Sequence, residues 1–506
     1  MTMTMPLTID QYAGLNHHLD RYTVNAPWIP AGETRRLTAY NILAAYATGT
    51  AWQLTPNLDQ LREYGEPALL IEQTVSAVMG DSQEIQSPNE NVQAALRDWA
   101  THDNFLLTLL EAERKTTTLG DAVYLIEAGE TRPHVSVIDP GFYFPVYDDD
   151  SHTQYPTKIH LGWEYTDQDG KAWIKRTTYQ LKPVQPYNVP WGDKPATVEC
   201  FITEAKWRAG GASLNLAPRN AIYSVNSQGQ EVKDLPMGID FIPIIHLPNT
   251  VTGVEHYGTS ILTPLIQLLD DLYHTDTDAT AAAATTGTPM LAISDPANLP
   301  ATSNRAPLVV KPGAIFNLNK GGTVTAINTA PQLAEIRNRQ KDLLARLSRN
   351  ARIPEVALGT TQSTQSGVAL QIQYSPLNAL VRSLRLARAS KYGLLLKFLQ
   401  RFLMLQGVLK TTAPAQLVFG AFMPKDQETV VKTVTEAVAG KIMTIETGLK
   451  MLEAAGIPVT EGEAETLKSR DYAGAIALVE ATGDTKAARN MLGIDTPPLQ
   501  VERRTI

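Results

Sequence analysis

The chain has 506 residues and a mass of 55.3 kDa, more than one ordinary core holds and enough for two to four domains. Hydrophobic residues are 43% and charged residues 19% of it, which excludes a disordered or fibrous chain, and the net charge of −8 excludes a simple basic nucleic-acid coat. The one cysteine, Cys200, leaves no disulfide scaffold and no cysteine-built metal cluster.

No Lys or Arg precedes Arg21 and no apolar run comes after it, so no secretory signal is predicted. The first 118 residues read as mostly helical, with an amphipathic stretch from Asn91 to Glu113 carried by Val92, Leu96, Trp99, Phe105, Leu106, Leu109 and Leu110. From Gly120 the period changes to two. Strand-like runs cover 122–126, 134–138, 158–163 and 172–179, separated by turn residues such as Asp139-Pro140-Gly141 and 167–170. Cys200 lies in this β region with no adjacent His, which predicts a buried structural thiol. Asp148–Asp150 reads as a solvated turn, and His17-His18 as a surface pair.

A helical stripe returns at Ser260–Ala284, through Ile261, Leu262, Leu265, Leu268, Leu269 and Leu272. Thr285–Pro289 breaks it. A compact β-like insert comes next, with apolar runs at 290–293 and 307–316, up to Gly321-Gly322. Helical spacing resumes at Leu333, Ile336, Gln340, Leu343 and Leu347, stopped by Ile353-Pro354. The polar stretch Gly359–Gly367 then leads into a long helix from Val368 to about Leu409, which Pro376 should kink. From Asp426 the sequence reads as short helices joined at Gly440, Gly456 and Gly483. The weakly charged run Val356–Val381 is full of Gln, Ser and Thr and contains Pro376, so no membrane span is predicted. Together these bounds predict a soluble, intracellular, multidomain protein.

Charge is distributed unevenly. Residues 1–254 hold 18 bases and 30 acids, 255–284 hold five acids and no base, and 356–425 hold eight bases and no acid. Asp270, Asp271, His274, Asp276 and Asp278 are of the types that hold a divalent ion for phosphoryl transfer, so a metal-dependent phosphotransferase or nuclease is one reading. Their spacing puts only 270, 274 and 278 on one helix face, which favours a solvated or partner-facing acidic side instead. Arg337, Arg339, Lys341, Arg346, Arg349 and Arg352 crowd the helix after the insert, and Arg382, Arg385, Arg388, Lys391, Lys397 and Arg401 recur along the long one. These bases either contact phosphate or pair with helix 255–284 of the same or a neighbouring subunit. Pairing is preferred, because an acidic and a basic helix flank one insert. Neither a phosphate loop nor a nucleophile elbow occurs, so no catalysis, metal or cofactor is assigned.

Several segments together resemble the portal, or head-to-tail connector, proteins of tailed bacteriophages of the siphophage type. They are Gly120–Leu125, Val135–Pro140, Tyr143–Asp148, Phe241–Asn249 with Tyr257–Ile261, Pro289–Ile293, Lys311–Ile315, and Arg352–Gly359 with Ser366–Leu370. The resemblance runs from about residue 30 to 425 and implies an α+β, mainly helical fold with named parts. These are an N-terminal wing at 1–256, helical then β-rich, a first stem helix at 257–284 and a small α/β clip at 285–330. A second stem helix comes at 331–353, a tunnel loop at 354–367, a long kinked wing helix with a following strand at 368–425, and a helical C-terminal crown at 426–506.

The resemblance also implies a homo-oligomeric ring, usually of twelve subunits, at one capsid vertex of the virion, assembled in the host cytoplasm. Double-stranded DNA passes through it without sequence readout during packaging and ejection. Partners implied are the large terminase subunit, head-completion or adaptor proteins, and the major capsid and scaffolding proteins, with no membrane. Three sets of residues are assigned on this basis. Thr360, Thr361, Gln362, Ser363, Thr364, Gln365 and Ser366 would line the channel, where a neutral polar sleeve lets phosphates slide. Asp270, Asp271, Asp276 and Asp278 would pair across subunits with Arg337, Arg339, Lys341, Arg346 and Arg349. Asn304, Arg305 and Lys311 would lie on the clip surface that docks partners. A different virion structural protein, such as a minor capsid or adaptor subunit, also fits the composition.

Overall fold

The structure is a computed structural model. It describes residues 22, 24, 26–51, 63–129, 131–147, 155–184, 197–210, 213–250, 256–287, 291–294, 323–326, 330–359, 367–422, 427–440 and 442–453, with shorter pieces to 486. The chain divides into two compact units, Met1–Gly420 and Ala421–Ile506.

The first unit opens with helices α1 (Thr34–Thr48) and α2 (Glu66–Met79), a short strand β1 (Gln83–Gln86), then α3 (Glu90–His102) and α4 (Phe105–Leu119). Asn89 caps α3, its side chain accepting from the backbone N–H groups of Asn91 and Val92. The stretch 91–113, which reads as one amphipathic helix in sequence, is two. Asn104 sits in the left-handed region (φ 52°), a conformation asparagine tolerates, and the turn shifts the phase of α4 relative to α3. Leu106 is consequently exposed, whereas Leu96, Trp99, Phe105 and Leu109 are buried.

Two antiparallel sheets come next. Strands β2 (Asp121–Ala128) and β3 (Pro133–Ile138) pair, and β4 (Tyr143–Val146), β5 (Lys158–Thr166), β6 (Ala172–Val184) and β7 (Thr197–Arg208) form a meander. Short strands β8 (Ile222–Tyr223) and β9 (Leu235–Pro236) both pair with β7, while β10 (Ile244–Pro248) returns to the other side of β2. The order β10-β2-β3 puts β2 in the middle, and Ala122–Ile126 are all buried, which is why that run carries no polar alternation. Cys200 is buried beside Met237, and burial pushes its thiol up to about 12.

Helix α5 (Ile266–Gly287) starts later than the apolar stripe suggests. Ser260 is held by the Thr118 carbonyl, and a short 3-10 turn containing Pro264 (Thr263–Leu265) precedes the helix. Beyond it, β11 (Leu291–Ser294) pairs antiparallel with β12 (Thr323–Ala326), and α6 (Ala330–Ala351) runs back. The sequence shows the first of these strands and misses the second; the 307–316 run lies outside the described residues. The long helix α7 (Gly367–Leu405) contains Pro376, and β13 (Gln416–Phe419) closes on β1. The second unit contains α8 (Gln427–Ala439) and α9 (Ile445–Glu453), which pack together with Val434 buried. This is the mixed helix-and-strand content expected, with helix in excess. No helix among the described residues is long and apolar enough to cross a membrane.

Candidate functional site

Helices α5 and α6 form an antiparallel hairpin tipped by the β11–β12 ribbon. They pack along their lengths, and the end of α6 meets the 3-10 turn that starts α5. Leu269, Leu272 and Tyr273 of α5 and Leu343 and Leu347 of α6 are buried. A polar link joins the two helices at Gln340, whose Nε2 donates to Asp276 at 2.5 Å. Asp276 is only 3% exposed. Burial, with Glu66 nearby, raises its pKa to about 6.

The four aspartates therefore have different fates. Asp270 accepts a short hydrogen bond from the Tyr46 hydroxyl of α1, and the Tyr46 ring stacks on Tyr273 with centroids 6.4 Å apart. Asp276 turns to Gln340. Asp271 and Asp278 are exposed, two helical turns apart on the side of α5 away from Leu269, Leu272 and Tyr273. On α6, Arg337, Arg339, Lys341, Arg346 and Arg349 are all exposed, and none makes an ion pair within the chain among the described residues. The acidic residues and His274 do not converge as ligands would; among the described residues no group of three or more His, Cys, Asp or Glu could hold a metal ion.

The bases of α7 do something else from what the sequence suggests. Read in sequence as contacting phosphate or pairing with helix 255–284, four of the six, Arg385, Arg388, Lys391 and Arg401, are instead used singly within the first unit. Arg388 is wholly buried, its Nη2 at 3.0 Å from Glu113 Oε2 and 2.8 Å from Asn249 Oδ1. Tyr392 donates to the other oxygen of Glu113 at 2.6 Å. Arg385 caps α2 by donating to the Val78 carbonyl at 3.0 Å and reaches the Gly420 carbonyl at 2.8 Å. Arg401 pairs with Asp240 at 2.9 Å, Lys391 lies over the Tyr155 ring, and Arg382 and Lys397 are exposed. A signal for Arg388 was present: it falls on the stripe of Val381, Leu384, Tyr392 and Leu395, so an arginine there points inward.

A second buried junction explains the sequence motifs around Gly120 and Tyr257. Asp121, fully buried at the start of β2, accepts from Tyr40 (2.6 Å), His246 Nε2 (2.7 Å) and the Gly258 N–H (2.8 Å). Gly120 has φ +96°, and a side chain there would meet the Gly258 carbonyl oxygen at 2.8 Å. His256 stacks on His246 with centroids 4.3 Å apart and is bonded to Tyr147 at 2.5 Å. Burial and His246 push the His256 pKa down to about 2, so it stays neutral. Arg36 staples this junction to β4: it donates to the Pro140 and Tyr143 carbonyls at 2.7 and 2.9 Å, with its guanidinium 4.6 Å from the Tyr257 ring centre. The junction anchors the segment from which α5 departs.

The other assigned residues, Thr360–Ser366 of the channel loop and Asn304, Arg305 and Lys311 of the clip, lie outside the described residues, as do Asp148–Asp150 and His17-His18.

The first unit thus combines helices and two antiparallel sheets with a two-helix hairpin carrying a small β ribbon and a long helix bound back into the core. The family model for phage portal proteins of the SPP1 Gp6-like type matches residues 63–465, which takes in both sheets, both hairpin helices, the ribbon between them and the long helix, and the chain belongs to that family. No curated protein matches the chain. Membership makes it a bacteriophage head-tail connector and virion component acting in genome packaging, in a family that is structural and forms homo-oligomeric rings in contact with terminase, capsid and DNA.

Proposed function

We propose that this chain forms a ring of twelve copies at one capsid vertex, the channel through which double-stranded DNA is packaged and later ejected. The observation that carries this reading is that the portal match, residues 63–465, takes in the whole α5–β11–β12–α6 hairpin. In it, α5 and α6 are the stem and the β ribbon between them is the clip, the tip that meets the large terminase subunit and afterwards a head-completion or adaptor protein. The loop 360–366, between α6 and α7, lines the narrowest part of the channel with Thr, Gln and Ser. Neutral side chains make weak, exchangeable contacts with phosphate and impose little friction. Helix α7 and the wing face the major capsid and scaffolding proteins, the residues after 426 form the crown, and assembly takes place in the host cytoplasm.

Single-particle imaging and native mass measurement of the purified chain test this. Closed rings with a channel wide enough for duplex are the expected result. A stable monomer or dimer at every concentration and salt overturns it.

A further inference from the structure

We infer a specific register for the contact between neighbouring subunits: Asp271 of α5 pairs with Arg346 of the adjacent copy's α6, and Asp278 with its Arg339. The inference rests on the ring reading above and adds which charges meet between copies.

Within one chain the antiparallel register is fixed by Gln340 bonding Asp276. In such a pair each step forward on α5 is a step back on α6. Five residues before Asp276 is Asp271, level with the fifth after Gln340, Ala345, so Arg346 is within one residue of that height. Two residues after Asp276 is Asp278, level with Asn338, next to Arg339. One residue is about 1.5 Å of helix rise, less than the reach of an arginine side chain. Rotation about a ring axis leaves height unchanged, so for stem helices running close to that axis the neighbour's Arg346 and Arg339 stand at the same levels as this chain's own. Asp271 and Asp278 are seven residues apart, as are Arg339 and Arg346, so both pairs can form at once, about 10 Å apart along the stem.

Exposure sorts the remaining charges. Asp270 and Asp276 are committed to Tyr46 and Gln340 and are not available. Asp271 and Asp278 face away from the hairpin's own buried side, and Arg339 and Arg346 lie on one flank of α6, outside the Leu343–Leu347 stripe. None of the four makes an ion pair within the chain among the described residues. A contact repeated around a closed ring needs one self-consistent pair of flanks, one acidic and one basic, on the same protomer, and this hairpin has them. Exposed pairs of this kind set register and exclude wrong neighbours more than they add affinity.

Paired cysteines in the full chain test the register. Cys200 is buried and adds little background. In rings of Asp271→Cys/Arg346→Cys, and separately of Asp278→Cys/Arg339→Cys, oxidation should give a ladder of covalent multimers on denaturing gels. The off-register combination Asp271→Cys/Arg339→Cys should give at least tenfold less, since Cα atoms beyond about 7 Å cannot be bridged. Intact rings with no ladder from the two matched pairs, or with an equal ladder from the mismatched one, overturn the register while leaving the portal reading standing. Failure of the unmodified chain to form rings overturns both. Charge reversal is the second arm and needs no cysteine. Asp271→Arg alone should cut the fraction of protein in rings at least threefold near the assembly midpoint at low salt. Adding Arg346→Asp should restore it to within twofold of the unmodified chain, and a double variant no better than the single one counts against the pair.

Discussion

Arg388 and Glu113, 275 residues apart along the chain, form an ion pair whose two side chains are both 0% exposed. Three further groups complete it: Asn249 accepts from the guanidinium, Tyr392 donates to the carboxylate, and Tyr124 lies against Tyr392. The pair fastens α7 to α4 and to the end of β10, so the long helix cannot slide over those elements without breaking it. A buried pair stabilises little relative to an apolar replacement, but losing one partner leaves a charge stranded. Arg388→Met should therefore lower stability by about 3–5 kcal/mol. Arg388→Met with Glu113→Gln should recover more than half of that, because the charge is gone and Tyr392 keeps an acceptor. Thermal or denaturant unfolding of the four chains in parallel checks this; equal losses in the single and double variants would show that packing, not stranded charge, sets the cost.

Gly258 and Gly120 face each other across the junction that precedes α5. A Cβ on Gly258 would lie 2.3 Å from the Gly120 carbonyl oxygen and 2.6 Å from the Asn249 nitrogen, both backbone atoms that cannot swing aside. The Gly258 N–H to Asp121 and Asn249 N–H to Gly120 bonds would have to move with it. Gly258→Ala should cost at least about 2 kcal/mol. Gly32→Ala, at an exposed glycine with open space around it, should stay within about 0.5 kcal/mol of the unmodified chain. A mild Gly258→Ala variant would mean that the two strands of backbone can separate.

How much of the molecule is legible in the sequence divides by range. The order of helix, sheet, hairpin and long helix follows from the apolar pattern, since β2 is a short continuous apolar run between turn residues and the α5 and α6 stripes repeat at the spacing their burial requires. The break at Asn104 is hidden, because an asparagine in the left-handed region leaves the apolar count undisturbed. Pairings between distant residues are hidden as well. Its stripe turns Arg388 inward, but nothing local names Glu113 as its partner. Likewise Gly120-Asp121 and Tyr257-Gly258 read as separate motifs, and only the fold brings them into one hydrogen-bonded junction. For α5 and α6, composition shows opposite charges on the two helices. It does not show that Asp270 and Asp276 are used inside the chain while Asp271 and Asp278 remain outside.

Asp276 gives a pH dependence of definite sign. Its carboxyl keeps its proton up to about pH 6 in the folded chain, against an ordinary value of 3.8. Between those values the unfolded chain ionises first, so the folded state binds more protons and stability falls as pH rises through the window. The penalty is complete above about pH 6. Asp276→Asn removes it and leaves Gln340 an amide oxygen to bond. The variant should be more stable than the unmodified chain at pH 8, by on the order of 2 kcal/mol, with the difference gone near pH 4. Melting temperatures of the two chains across that range decide the matter, and a constant difference at all pH values would assign the effect to packing.

The clip assignment predicts a separation of functions. Asn304 and Arg305 belong to the segment between β11 and β12, which the portal reading makes the partner-docking tip. Replacing both with Ala should weaken binding of the large terminase subunit or the adaptor at least fivefold while ring mass and symmetry stay unchanged. Binding assays on purified rings read the first and single-particle images the second. Loss of rings with normal partner binding would place these residues between subunits instead.

The proposed role of Thr360–Ser366 in lining the channel predicts an effect of charge without an effect on assembly. Thr360–Ser366 has almost no apolar side chain, lies between two helices, and includes no Lys or Arg. Duplex DNA presents one negative charge per roughly 1.7 Å of axis, so a ring of lysines would hold each phosphate as it passed. With twelve copies and three replacements each, the attraction would act at every step of translocation. Thr361→Lys, Gln362→Lys and Gln365→Lys together should therefore slow packaging at least tenfold, and the inhibition should weaken as salt rises, because screening shortens the reach of each charge. The same three positions changed to Ser should package at close to the normal rate, since the contacts remain neutral and exchangeable. Both variants should form rings of unchanged mass. An in vitro packaging reaction with the terminase motor, run at two ionic strengths, measures this directly. Normal packaging by the lysine variant, with the loop mapped to the channel wall by cross-linking to DNA, would mean that the lining's neutrality is not what lets the duplex slide.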